Sequence, residues 1–315
     1  MTKYKELLNA SIKSKDTEEW LDMHFNRPIG LMMALTGKRL GIHPTAITAV
    51  SIVLGIWAAW MFAHTDIYHN LLGILLLMIA NFCDSADGQL ARIANKRTLV
   101  GRVLDGFAGD IWFFCIYFAL CVRMTLQPMP GTDVNWGIWI WVLAFIAGIL
   151  CHSPQSSLSD YYRQIHLLFL KGKAGSELDT YASQREIYDN LPKHSLLIIK
   201  MFYYNYANYC KSQERRSPAF QKLIKTIKDK YGDISAMPQE LRERFLEGSR
   251  PLMKYTNILT FNTRAICLYI TSLAGCPWVY MMIEIIVFTI IYVYMHKKHE
   301  SLCQEIIDKI TKEAA

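Results

Sequence analysis

Charge is what this sequence has least of. Asp, Glu, Lys and Arg make up 19% of its 315 residues, against about a quarter in an ordinary soluble domain. Hydrophobic residues reach 52%, which excludes a disordered chain, because disorder requires low hydrophobicity. The eight cysteines form no CxxC pair and no zinc spacing, so neither a disulfide framework nor a zinc module is expected. The nine histidines contain no HExxH and no paired metal spacing. There is no internal repeat and no low-complexity tract. Composition alone leaves two classes open, a large apolar soluble domain and a membrane protein.

The charge-free windows separate them. Ile42–Ala63 contains no Asp, Glu, Lys or Arg, and as a helix it would extend roughly 33 Å, enough for a hydrocarbon core of about 30 Å. Tyr68–Cys83 is apolar and runs into a group of acids, and Ile111–Val122 continues a segment that begins near Gly101. Asn135–Ser159 is bare of charge, Ile258–Gly275 is interrupted only by Arg264, and Pro277–Met295 holds the single acid Glu284. These windows predict six transmembrane helices.

The basic residues test that division. All but two of the 34 Lys and Arg fall in the N-terminal segment, the second-to-third connection, the stretch Arg163–Lys254 and the C-terminal tail. The exceptions are Arg123 and Arg264. Alternate connections are therefore basic and the others nearly bare, the positive-inside pattern for six spans with both termini cytoplasmic. The first apolar run starts too late for a signal peptide. That absence and the compact size lead us to expect a bacterial inner membrane rather than the endoplasmic reticulum.

The fold class expected is thus all-α, a polytopic membrane helical bundle with an N-terminal interfacial helix and a cytoplasmic helical insertion. The parts expected are residues 1–41, cytoplasmic or interfacial; 42–165, the first four spans; 166–252, the insertion; 253–296, the last two spans; and 297–315, a tail. Within Thr17–Gly41, apolar residues from Trp20 to Leu35 recur near helical spacing beside Arg27, Lys38 and Arg39, which fits a helix lying on the leaflet or packing on the bundle. In the insertion, Phe220, Leu223, Ile224 and Ile227 share one helical face. Its Lys and Arg mix with Glu and Asp, so no nucleic-acid role is expected.

The acids at the end of the second span carry the chemistry. Asp84, Asp87, Gly88 and Ala91 lie at i, i+3, i+4 and i+7, one helical face, with Arg92 next. Gly101 and Asp105 share a face of the following helix in the same way. Acids at a bilayer boundary are costly, and aspartates one turn apart repel unless a cation lies between them. Mg²⁺ or Mn²⁺ takes carboxylate oxygen and bridges to phosphate. Small residues at 88, 91 and 101 leave room for a bulky ligand, and Arg92 offers a phosphate-pairing fork. This set suits a metal–diphosphate site with two ions. The plain alternative is a helix hairpin held by salt bridges to Arg92, Lys96, Arg97 and Arg102.

At these residues the sequence resembles the CDP-alcohol phosphatidyltransferase family, whose signature is D-x2-D-G-x2-A-R-x8-G-x3-D-x3-D. Asp84, Asp87, Gly88, Ala91, Arg92, Gly101 and Asp105 match it, including the eight-residue gap. His43-Pro44-Thr45-Ala46-Ile47-Thr48 at the first span also looks like the family. The resemblance covers roughly 20–165 and 255–296, with a member of the phosphatidylinositol-phosphate-synthase kind as one option. It implies that Asp84, Asp87, Asp105 and the last acid hold divalent metals, that Asp84, Gly88, Ala91, Arg92 and Gly101 border the nucleotide, and that the last acid is the general base. There the sequence departs from the pattern. Position 109 is Gly109, and the nearest acid is Asp110, turned some 140° from Asp105 on a regular helix. A π-bulge would bring it back, and Asp110 is taken as the catalytic base with that condition.

The resemblance implies attack of an alcohol hydroxyl on a CDP-lipid, CDP-diacylglycerol, releasing CMP. For the acceptor, Lys96, Arg97 and Arg102 lie beside the site, with Arg163 after the fourth span and Arg264 inside the fifth. An intramembrane arginine faces a polar cavity or pairs with a core acid, and Arg163 either enters the pocket or snorkels to the interface. This surplus tilts the expectation toward inositol phosphate or glycerol phosphate. Within the family the alternative is a CDP-ethanolamine or CDP-choline type phosphotransferase acting on a lipid alcohol. From another class, an ion-coupled transporter explains intramembrane Asp and Arg but not the glycine and Arg92 matches. Homodimers through the spans are frequent in the family, and the resemblance implies that option here.

Overall fold

The structure is a computed structural model that describes residues 4, 6–8, 12, 14–96, 99–192 and 197–312, without the side chains of 99, 100, 102, 103 and 198. Among the described residues it is all helix, apart from an isolated bridge between Pro128 and Asn135. It divides into two compact units, residues 1–155 with 258–289, and residues 156–257 with 290–315.

In the first unit a π-helical turn, Asp22–Asn26, leads into α1 (Arg27–Arg39). Gly41, at φ +69°, ends it in a left-handed conformation suited to glycine. Helix α2 (Pro44–Phe62) starts with Pro44 in its first turn and the His43 ring accepting from the Thr45 amide. Helix α3 (Ile67–Ile93) is capped by Asp66 and closes on Asn95, which adopts φ +52° while the Lys96 amide bonds back to the Ala91 carbonyl. Helix α4 (Leu99–Met124) is regular throughout. Helix α5 (Ile138–Lys171) carries a π segment at Ile146–His152.

The chain then forms α6 (Tyr181–Asp189), α7 (Leu197–Arg216), α8 (Pro218–Tyr231), α9 (Gln239–Ser249) and the short α10 (Met253–Ile258). It returns to the first unit as α11 (Phe261–Leu273) and ends in α12 (Trp278–Lys312), which has a π segment at Glu284–Phe288.

Among the described residues, five helices, α2, α3, the Leu104–Met124 part of α4, α5 and α12, are long and apolar enough to cross a bilayer. Where six were expected, the window Ile258–Gly275 supplies only the 13 residues of α11, about 20 Å of helix. The chain is extended at Thr260 just before it, and the Thr260 hydroxyl donates to Glu19 Oε1 at 2.5 Å. Asn26 Nδ2 donates to Asn262 Oδ1 at the start of α11 (3.2 Å), and Arg123 Nη2 donates to the Ser272 carbonyl near its end (3.3 Å). The short helix thus reaches from the level of α1 to the far end of α4.

Large apolar side chains face outward from these helices. Val50, Val53, Ile56, Trp57 and Trp60 on α2 are exposed, Trp60 by 65%. A soluble protein does not display a surface of this extent. Inside the unit, Ala58, Phe62, Leu77, Ala80, Trp112, Ile116 and Leu120 pack α2, α3 and α4 together. Gly55 makes room for Trp112, whose indole lies only 2.0 Å from where a Cβ would stand. Helix α1 packs its Ala34 against Ala86 and Leu90 of α3 while exposing Phe25, Met32 and Leu40. Of the two expectations for this helix, packing on the bundle is the one observed.

In the second unit, Phe220, Leu223 and Ile227 form the buried stripe of α8. Phe169 stacks on Phe245 and Tyr162 on His299, each pair with ring centres 3.8 Å apart. This unit has a core of its own.

Candidate active site

Three helices build the site. Asp84 and Asp87 stand one turn apart near the end of α3, and Asp105 nearly two turns into α4. Each of the three presents a carboxylate oxygen, and these oxygens all lie within 4.8 Å of one another. Three carboxylates this close repel strongly when ionised. Asp87 Oδ2 accepts a hydrogen bond from the Thr48 hydroxyl on α2. Asp87 Oδ1, fully buried, has no hydrogen-bond partner among the described residues. A buried acceptor left so is costly, and a hard divalent cation among the three carboxylates would offset their repulsion and engage that oxygen. The residues present therefore fit a metal.

Helix α1 is fastened to this end of α3. Gly30 lies so close that a Cβ there would be 2.8 Å from Ser85 Oγ. Gln89 Nε2 donates to the Arg27 carbonyl at 3.0 Å. The Arg27 guanidinium forks onto both Glu18 carboxylate oxygens at 3.0 and 3.1 Å. Burial alone would lower the Arg27 pKa; Glu18 outweighs it, with lesser contributions from Asp22 and Asp84, and holds it raised. Arg27 thus sits in the field of Asp84. Asn262 Nδ2 donates to Glu19 Oε2 (2.8 Å) and Asp22 Oδ1 (3.0 Å), which ties the approach to α1 onto α11.

Arg92 folds back over Gly88, its guanidinium nitrogens 3.6 and 3.8 Å from where a Cβ would be. Ala91 is half-buried on the same helix, and Gly101 opens α4. Asp110 is not brought to the carboxylate cluster. No π-bulge interrupts α4, so Asp110 stays on another face, where it lines an apolar cavity of about 430 Å³ with Phe113, Phe118, Trp141, Phe145 and His152.

The basic residues expected at an acceptor pocket are dispersed. Lys96 is exposed in the connection after α3. Arg97 lies outside the described residues, as does the side chain of Arg102. Arg163, in the second unit, donates to Asn257 Oδ1 at 2.6 Å. Arg264 is fully buried and committed: it pairs with Glu284, and bonds Gln155 Oε1 and the Leu259 carbonyl at 3.0 Å each. Of the two roles open to it, the core ion pair is the one found. The pairing had a visible signal, a lone arginine in one apolar window and a lone acid in the next. Thr48 and Arg27 were in view in the sequence without a role, since neither hydrogen bond has a short-range signature.

Residues 41–153 match the sequence model of the family described as CDP-alcohol phosphatidyltransferase, and this stretch contains the whole carboxylate motif. Over this stretch the chain is similar to that family. No curated protein matches the chain. The family is one of phosphotransferases, which move a phosphorylated alcohol from its CDP derivative to an acceptor alcohol in phospholipid synthesis. Its members use divalent metals and reside in membranes, in keeping with the acid cluster and the five apolar helices of this chain. That similarity favours a phosphotransferase over the transporter reading.

Proposed function

We propose that the protein is a metal-dependent phosphotransferase that joins the lipid phosphate of CDP-diacylglycerol to an alcohol and releases CMP. The observation that carries this reading is the cluster of Asp84, Asp87 and Asp105 with a buried, unpartnered oxygen on Asp87. Bound there, one or two Mg²⁺ or Mn²⁺ ions would neutralise the diphosphate and improve CMP as a leaving group. Thr48 fixes Asp87 so that its free oxygen is presented without reorganisation. Gly88, Ala91 and Gly101 leave the helix surfaces low enough for the nucleotide, and Arg92 pairs with phosphate. The acceptor oxygen forms a bond to the lipid-side phosphorus, the P–O bond to CMP breaks, and the hydroxyl proton passes to a carboxylate. Both termini and these acids lie on the cytoplasmic side in this reading, where the water-soluble substrate is found.

A second reading rests on Asp110. A carboxylate in the wall of an apolar cavity suits the hydroxyl of a lipid alcohol, with a CDP-ethanolamine or CDP-choline type compound as donor. The commitment of Arg264 to Glu284 favours it too, since a phosphate-bearing acceptor then has one cation fewer. Purified protein with Mg²⁺ or Mn²⁺ is to be given CDP-diacylglycerol with inositol phosphate or glycerol phosphate, and separately CDP-ethanolamine with diacylglycerol. Metal-dependent CMP release in the first arm supports the first reading, and release confined to the second arm supports the other. Silence in both overturns the proposal.

A further inference from the structure

A second group of metal-ligating side chains lies away from the carboxylates, in the turn from α2 to α3. His64 follows the last residues of α2, Asp66 caps α3, and His69 lies in its first turn. Each presents one ligand-type atom, and the three atoms lie within 4.8 Å of one another. The His64 and His69 rings are 4.2 Å apart between centres. Asp66 Oδ2 is 2.6 Å from His69 Nδ1, and Asp66 Oδ1 accepts from the His69 amide at 3.1 Å.

A capping pair explains Asp66 and His69 but not the fixed placement of His64. That placement comes from below. Asn70, 1% exposed, donates through Nδ2 to both the His64 carbonyl (3.3 Å) and the Asp66 carbonyl (2.6 Å). Its Oδ1 accepts from Arg123 Nη1 at 2.8 Å. The Trp60 ring stands edge-on to His64, 6.1 Å between centres. The backbone that carries the donors is therefore held by a buried Asn–Arg pair, the kind of support that orients metal ligands.

We propose that His64, Asp66 and His69 form a binding site for a divalent transition metal of the zinc type. Two imidazoles and one carboxylate are a donor set for Zn²⁺, with a position left for water. Mg²⁺ prefers oxygen alone, so this site and the three-aspartate cluster select different ions. They are also far apart: from Thr48 to His64 is roughly 24 Å along α2. The bound ion would clamp the start of α3 to the end of α2 and take no part in the transfer chemistry.

The test is Zn²⁺ equilibrium dialysis of tag-free, full-length protein in detergent with millimolar Mg²⁺ present, read as bound zinc per chain. One Zn²⁺ per chain is expected. His64→Ala and His69→Ala are each expected to weaken it about 10-fold or more while CMP release with Mg²⁺ stays unchanged, and Asp87→Asn is expected to keep the zinc. Zinc retained at full affinity by both histidine variants, or lost in Asp87→Asn, overturns the proposal. So does the absence of bound zinc. His64→Gln and monodispersity on gel filtration serve as the second variant and measurement if an alanine variant fails to fold, and full zinc affinity in a folded His64→Gln protein overturns the proposal equally.

Discussion

Asp87 has one oxygen tied to Thr48 and the other buried without a partner, and its chemistry follows from that asymmetry. Asp87→Asn removes the charge and keeps the shape. Metal-dependent CMP release is expected to fall by about 10²-fold or more, with the unfolding temperature unchanged or raised because a repulsive carboxylate is gone. Thr48→Val leaves the charge and frees the side chain to turn. It is expected to raise the metal concentration for half-maximal activity about 10-fold, seen in a Mg²⁺ titration. Arg264 gives the opposite kind of result. Arg264→Met strands the buried Glu284 carboxylate, a loss of about 3–5 kcal/mol, whereas Arg264→Met with Glu284→Leu loses much less. Denaturation in detergent measures both, and a normal stability with a raised acceptor KM would instead place Arg264 in the acceptor pocket.

At the scale of elements, the junction of α1 and α3 depends on a residue without a side chain. Gly30→Leu places carbon where Ser85 stands, so the helices must part, at about 1–3 kcal/mol. Activity is expected to fall with it, through displaced Asp84, and a fully active Gly30→Leu would show that α1 does not position the acids. The apolar windows marked these elements well in the sequence, because burial in lipid demands a long bare run that no soluble helix needs. The motif was legible for a related reason: i, i+3 and i+4 spacings project onto one face of whatever helix forms. The run Ile258–Gly275 was misleading in length, since hydropathy does not register that Thr260 prefers Glu19 to the next helical turn. The face of Asp110 depended on the absence of a bulge, which residue types alone do not encode.

For the whole molecule, the charge pattern and the hydrogen bonds agree about which ends go together. The two arginines that break the alternating pattern are both consumed inside the first unit, Arg123 by Asn70 and Ser272, Arg264 by Glu284. The remaining basic residues therefore keep the alternating pattern from which the orientation is expected. Single cysteines introduced at the exposed positions Asp133 and Lys298 in a cysteine-free background are expected to react with a membrane-impermeant maleimide from opposite sides of sealed vesicles. Labelling from one side would overturn the orientation expected from the charge pattern. Long-range partners such as Asn26 with Asn262 were beyond the sequence for a plain reason, as 236 positions separate them and nothing local reports the meeting.

The bond from Arg123 to Asn70 and to Ser272 has a mechanical meaning. It knots the outer ends of α3, α4 and α11 at one buried point, so these helices share a fulcrum. The lipid-linked nucleotide of the proposed reaction is wide and would enter sideways. With that end pinned, whatever parting of the helices admits it takes place at the other end, where the aspartates are, and a small tilt about the knot is magnified there over the full length of the lever.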